Sequence, residues 1–336
     1  MKILFSSYHN PSFMTITEYI ERALSKLEHS LISFDDRTFL IPGRIRKRLG
    51  FLQNWDLKRL NSKFFSLANQ SRPDFCLVAG GHRILPMTIK KLRAQGTKTV
   101  LWTIDTPIDF QPIIDAAPSY DFIFCGGTEA QELLAKAGIK KTHWLPFACD
   151  PEIHKPEDII LSENVSKSID VVFVGSFYPN RQQILERISD FDIQVLGPGW
   201  SRLPVGSPLK KLARDAKLKP EEWRKIYGNS KIVIVIHFQD GKTPCYQASP
   251  KVYEALACRN FLLVDDQKDI RSLFEDGRHL VVFNDVGDLR KKIRYYKNRP
   301  EERKKIAEQG YKEVIQKHTY IHRTEKMIQI VGHENA

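Results

Sequence analysis

The chain reads as an α/β protein made of two doubly wound, Rossmann-like domains, and three observations carry that reading. Strand and helix patterns alternate nearly end to end, as expected for a parallel sheet covered by helices on both faces. The alternation stops once, at a polar stretch with two prolines, and then restarts. At 336 residues the chain has room for two domains of ordinary size, each with its own core.

The first series opens with the strand KILFSS, followed by the periodic run ITEYIERALSKLEH. FCLVAGG then leads into a short helix and a turn at Gly96, and TVLWTID runs into a proline-rich loop. YDFIFCGG precedes the helix TEAQELLAKAG, and THWLPF closes the series, giving a first domain over residues 1–150. Residues 151–168 lack an amphipathic period and read as the connection. From Ile169 the alternation resumes with IDVVFVGS and RQQILERI, then FDIQVLGPGW and a basic loop. PEEWRKIYGNS leads into KIVIVIHF, a helix begins at Ser249, and FLLVDD and HLVVFND follow, so residues 169–318 form the second domain. The last helical pattern is too long for one straight helix and breaks near His318–Thr319, leaving residues 319–336 to cross back onto the first domain. Ligands in such sheets bind at the carboxyl ends of the strands, so the chemistry is expected in a cleft lined by both domains.

Composition narrows the class. With 42% hydrophobic and 27% charged residues the chain is globular. No apolar run reaches bilayer-spanning length, and the N-terminus enters a strand without the apolar segment of a signal peptide, so a cytoplasmic location is expected. Five scattered cysteines with no C-x-x-C pair suggest neither a disulfide framework nor a zinc site. Fifty-two Lys and Arg against forty Asp and Glu give a net charge of +12, which favours polyanionic partners. No zinc-finger spacing, RNP-like run or basic zipper is present, so nucleic acid is an unlikely partner. The patch around Arg44, Arg46, Lys47 and Arg48 suits peripheral contact with the inner face of an anionic membrane. No G-x-G-x-x-G occurs, so a nicotinamide or flavin fingerprint is absent and no cofactor is expected.

SPKVYEALACRNFLLVDD (249–266) reads as a helix start fit for phosphate, feeding a buried strand. Ser249 is a natural N-cap and Pro250 suits the first helical position, leaving first-turn amides to point at an anion. Lys251 and Glu254, three apart, share a face and offer a cation to phosphate and a carboxylate to ribose hydroxyls. The same pattern also describes an ordinary capped helix packed on a sheet.

From about residue 100 the blocks WTIDTP, YDFIFCGG, HWLPFACDPEIHKP, DVVFVGSFYPNR, VLGPGW, the Ser249 segment and the tail DGRHLVVF through HTYIHR occur in an order that resembles the CgeB-like group of GT-B glycosyltransferases. The resemblance implies a second domain that holds a nucleotide diphosphate sugar and a first domain that holds the acceptor: a glycan, a lipid-linked or other cell-surface precursor, or a protein. It casts Glu254 as the ribose-binding carboxylate, with Lys251 and Ser249 near the diphosphate. Gly175 and Ser176 resemble the small loop that lets phosphate approach backbone, and Arg181 offers a bidentate phosphate contact. Retaining members of the wider group often carry a second glutamate shortly before the ribose-binding one, and here PCYQASPK holds no acid. Inversion is therefore expected, which needs a base in the first domain.

Three residues are candidates for that base. Asp105 follows a strand and precedes Pro107, a position that suits a base and equally a turn-capping Asp. His9, in SSYHNPSF, and His82, after Gly80–Gly81, lie in strand-end loops; histidine is suited to proton transfer at neutral pH, while Asn10–Pro11 signals a turn and His82 with Arg83 suits an acceptor anion. On the donor side His237 is expected to shape the sugar pocket or bond phosphate, Asp265 to read sugar hydroxyls or cap the next helix, and Trp200 to stack on the base or plug the core edge. No D-x-D pair is placed to bridge a diphosphate through metal, so metal-independent transfer is expected. The alternatives are a nucleotide-sugar 2-epimerase, which shares this architecture, and a non-catalytic sugar-nucleotide-binding module.

Overall fold

The computed structural model describes residues 1–10, 14–46, 48–81, 83–104, 108–157 and 169–333. The chain divides into two compact units, Met1–Pro146 together with Thr324–Ala336, and Phe147–Arg323.

In the first unit, β1 (Lys2–Ser7), β2 (Ser30–Asp35), β3 (Phe75–Ala79), β4 (Lys98–Thr103), β5 (Phe122–Cys125) and β6 (His143–Trp144) form one sheet in the order β2-β1-β3-β4-β5-β6. Every pairing is parallel. All five residues of β3 are buried, as expected for a strand with helices over both faces. The order reverses between β1 and β3, so the crevice sits at their carboxyl ends, beside Tyr8–His9 and Gly80–Gly81. The helix Ile16–Lys26 starts where the Glu18 carboxylate accepts from the Thr15 amide and hydroxyl at 2.7 and 2.6 Å.

Two elements here are absent from the sequence reading. Strand β2, SLISFD, lies at the sheet edge and is only partly buried, so it lacks the continuous apolar run of a central strand. The 22-residue helix Gly50–Ser71 buries Leu60, Phe64 and Ala68 but turns Phe51 and Trp55 outward, which blurs its amphipathic period.

In the second unit, β7 (Ile169–Val174), β8 (Ile193–Gly197), β9 (Ala213–Asp215), β10 (Ser230–Val235), β11 (Leu262–Asp265) and β12 (Val281–Phe283) are also all parallel, in the order β12-β11-β10-β7-β8-β9. This is the dinucleotide-fold order, with its switch point between β7 and β10. One core cluster runs through Val171, Phe173, Val195, Ile232 and Leu263. The long C-terminal pattern does break, into helices Pro300–Lys317 and Tyr320–His333 with His318–Thr319 between them. The break is pinned within this unit: Cys149 N–H donates to the His318 carbonyl at 3.0 Å and Tyr320 N–H to the Cys149 carbonyl at 2.9 Å. All five cysteines are free, and burial pushes the thiols of Cys76, Cys125 and Cys149 up to about 12, so they are inert.

The turns after β7 and β8 touch backbone to backbone. Gly197 has φ +144°, and a Cβ there would stand 2.1 Å from the Gly175 carbonyl oxygen. Gly197→Ala combines a disfavoured backbone with a clash against main chain, so it should lower unfolding free energy by about 1–3 kcal/mol. Urea denaturation checks this, and an unchanged midpoint would mean that the two turns are not held in this contact.

Candidate functional site

The carboxyl ends of β7, β10 and β11 are stitched together by side chains from the loops that leave them. Arg181, in the helix Pro179–Glu186, donates Nε to the Ile236 carbonyl at 2.8 Å and Nη1 to the Ser176 carbonyl at 2.9 Å. It thus spans the switch point. Its neighbour Asn180 donates to the His237 carbonyl at 2.8 Å. Burial pulls the Arg181 pKa below its ordinary value, and among the described residues no carboxylate lies within ion-pair distance of it. Two of its donors are spent on main chain, so the expected two-pronged contact with phosphate is reduced to what the rest of the guanidinium offers.

His237 is buried and committed on both ring nitrogens. Its Nδ1 meets Asp265 Oδ1 at 2.6 Å, while Nε2 accepts the Ser249 amide at 2.9 Å. An N–H donor at Nε2 places the ring proton on Nδ1. Asp265 Oδ1 also accepts the His237 amide at 2.9 Å, and Oδ2 takes Gln267 at 3.0 Å. With these atoms engaged, His237 positions the Ser249 turn and is not free to bond a phosphate. Asp265 borders a concavity of about 360 Å³ at the ends of β11 and β12, with Arg187, Gln239, Asp266 and Asn284 in its wall.

Ser249 caps the helix Pro250–Ala257, its hydroxyl accepting from the Lys251 amide at 3.4 Å. The Val252 amide bonds the Ser249 carbonyl at 2.9 Å, and Pro250 has none. The first-turn amides are thus largely satisfied inside the protein, which corrects the expectation of free donors; only the long Lys251 contact is readily exchanged for a ligand. One turn on, Lys251 Nζ pairs with Glu254 Oε2 at 2.6 Å. The ammonium also sits 4.7 Å from the centre of the Trp223 ring. Burial, the largest single effect, works to raise the Glu254 pKa, but the Lys251 charge, His154 and the Lys251 hydrogen bond together outweigh it and hold the carboxyl below its ordinary value. Buried His154 lies close by and packs on Trp223, and burial lowers its pKa to about 4.

Gly175 and Ser176 form the turn after β7, where the Gly175 amide bonds the Leu196 carbonyl at 2.8 Å. Trp200 Nε1 donates to the Gly175 carbonyl at 2.9 Å, and the ring packs edge-on against Phe173 and Phe177 with 2% of the residue exposed. Stacking on a nucleobase is therefore corrected: Trp200 is a core residue that props the turn. His154, Trp223 and Asn180 were not identified from sequence. They reach the site from a turn and two helices; His154 and Asn180 fall within the blocks HWLPFACDPEIHKP and DVVFVGSFYPNR, but nothing in those blocks marks either residue, and the fold brings them in.

Of the three base candidates, Asp105 and His82 lie outside the described residues. His9 follows β1 at the first unit's switch point, with Nε2 2.9 Å from Glu21 Oε1; Ser33 Oγ donates to the same oxygen at 2.5 Å. With its Nε2 proton given to Glu21, the ring presents a lone pair at Nδ1, which has no protein partner among the described residues. A carboxylate-oriented histidine is a competent proton acceptor.

Two all-parallel, doubly wound six-stranded sheets with flanking helices define the GT-B fold of sugar transferases. Sucrose-phosphate synthase from Thermosynechococcus elongatus matches 98% of this chain over 98% of its own, with a TM-score of 0.73 and 12% identity. HepE of Anabaena, in complex with UDP and glucose, matches with a TM-score of 0.66 and 12% identity over 99% of each chain. In sequence, residues 181–329 match the glycosyl transferase-like family model. The chain is 22% identical over 262 residues to the spore protein CgeB of Bacillus subtilis (strain 168), covering 74% of this chain and 80% of that protein. Together these matches show a GT-B fold, a glycosyl transferase-like segment over residues 181–329 and similarity to CgeB over most of the chain. Among the described residues no helix is long and apolar enough to cross a membrane.

Proposed function

We propose that the protein transfers a sugar from a nucleoside diphosphate sugar, bound by the second unit, to a hydroxyl of a glycan, a lipid-linked or other cell-surface precursor, or a protein. The single observation that carries the donor assignment is Arg181, a half-buried guanidinium at the β7/β10 switch point with no carboxylate within ion-pair distance among the described residues. A half-buried cation with no ion-pair partner, with Asp265 as the nearby charge acting on it, suits an external anion. Lys251 supplies a second cation, and the Glu254 carboxylate beside it suits ribose hydroxyls. Because HepE carries UDP, a uridine nucleotide is the first donor to test.

In the proposed reaction the acceptor oxygen bonds the anomeric carbon from the face opposite the departing nucleoside diphosphate, and a base takes the hydroxyl proton. Asp105 is that base in our reading, with His9 and His82 as alternates. The lack of an acid in the stretch PCYQASPK favours this inverting course. Arg181 and Lys251 offset the charge on the leaving group, so catalysis runs without metal. Transfer measured with and without a chelator should give equal rates; a rate lost to the chelator and restored by magnesium or manganese would overturn this part. Calorimetry against UDP, UDP-sugars and other nucleoside diphosphates tests the donor assignment. Binding of a nucleoside diphosphate is expected, and no binding by any of them would remove the transferase reading.

A further inference from the structure

We infer that the first unit docks onto an anionic lipid bilayer through the surface formed by the loop after β2 and the start of the helix Gly50–Ser71. Among the described residues, five of the ten exposed large apolar side chains fall within residues 40–55: Leu40, Ile45, Leu49, Phe51 and Trp55. Leu40 is 64% exposed, Phe51 69% and Trp55 53%, values that an ordinary monomer surface does not gather in one short segment. Phe51, Trp55 and Lys58 are spaced i, i+4, i+7 along the helix and so share its outward face.

Cations interleave with these apolar groups. Arg44, Arg48 and Lys58 are exposed and have no partner among the described residues. Of the two acids in this stretch, Asp36 is buried and paired with Arg83 at 3.2 Å, and Asp56 is buried and turned inward. Asp56 accepts the amides of Leu40 and Ile41 at 3.2 and 2.9 Å and Arg59 Nε at 3.0 Å. Those bonds, with Arg59 Nη2 donating to the Thr38 carbonyl at 2.6 Å, fasten the loop to the helix. The result is a fixed surface of aromatic, aliphatic and cationic groups with no exposed acid.

That mixture fits a membrane interface, where Trp and Phe enter the headgroup boundary while Arg and Lys meet lipid phosphates. A second copy of the chain fits poorly, because a two-fold contact would set the same cations against each other. A nucleic acid would leave Leu40, Ile45 and Leu49 without a role. The patch follows β2, and the His9 and Gly80–Gly81 loops follow β1 and β3 of the same parallel sheet, so all leave its carboxyl end. Docking would bring the acceptor loops to the lipid surface and select a lipid-anchored acceptor. This last consequence rests on the proposed transfer; the docking does not.

Sedimentation of the full chain with phosphatidylcholine vesicles, with and without phosphatidylglycerol, tests the proposal. Binding is expected only with the anionic lipid, weakening as salt rises. The double variants F51S/W55S and R44E/R48E should each lower vesicle partitioning by about tenfold or more. Of the other four tryptophans, Trp102, Trp200 and Trp223 are buried and Trp144, half-buried, lies on β6 outside the patch, so a blue shift of tryptophan emission on binding should largely vanish in W55F. Failure to bind anionic vesicles at low salt, or equal binding by both double variants, would overturn the proposal. So would a wild-type dimer that F51S/W55S disperses in light scattering. UDP affinity, measured in the same variants, should match wild type, so a failed docking test is distinguishable from a failed donor assignment.

Discussion

Glu254→Ala is expected to weaken nucleoside diphosphate sugar binding by roughly 10- to 150-fold, corresponding to about 1.5–3 kcal/mol for hydrogen bonds to a charged group. The side chain is 9% exposed, so the loss is not made good by water at the same place. Lys251 is 31% exposed and can swing to solvent when its partner goes, so the variant should fold. The pairing also fixes the pH dependence. Because the folded Glu254 pKa is depressed, its stabilising contribution is complete above the ordinary carboxylate pKa and is lost only as pH falls through the lower folded value. Donor affinity measured by calorimetry should therefore hold from pH 7 to about pH 5. Unchanged affinity in a folded Glu254→Ala protein would take this carboxylate out of the donor site.

Asp105→Asn is expected to lower turnover by roughly 10²- to 10⁴-fold, the usual contribution of a positioned general base, with little change in donor affinity. The amide keeps the shape of the carboxylate and cannot take a proton. His9→Ala and His82→Ala should have smaller effects. The Glu21–His9 contact makes this a real competition, since an oriented imidazole can do the same work. Near-normal turnover in the Asp105 variant with collapse in His9→Ala would transfer the role to the histidine. A product that retains the donor's anomeric configuration would reject a single-base displacement for both.

The strands legible in the sequence are those buried on both faces, such as FCLVA, IDVVFV and SKIVIV, where apolar runs follow from the sheet's own geometry. Strand β9, three residues with two charged, has no such run, and its place is fixed by pairing with β8. Part of the proposed donor site was legible for a similar reason. Lys251 and Glu254 meet because a helix places residues three apart together, and Ser249 caps because a serine before proline does so locally. Trp200 was open to misreading because a Gly-Pro-Gly turn suggests a surface loop, whereas its ring turns inward onto Phe173. Trp223 and His154 join Lys251 from distant parts of the chain, and no local pattern encodes such a meeting.

The His237 clamp has a consequence for how damage to this protein will present. Its ring ties Asp265 at the end of β11 to the Ser249 amide, and its own carbonyl is held by Asn180. The ordering of these turns is completed when the chain folds, not when a nucleotide arrives. A substitution at Asp265 would release the imidazole and let the Ser249 turn drift, degrading affinity through the scaffold. Residues behind the site will therefore mimic residues in it in any activity screen. Only a measurement of the empty protein, such as hydrogen exchange at the Ser249 amide, separates a misplaced scaffold from a missing contact.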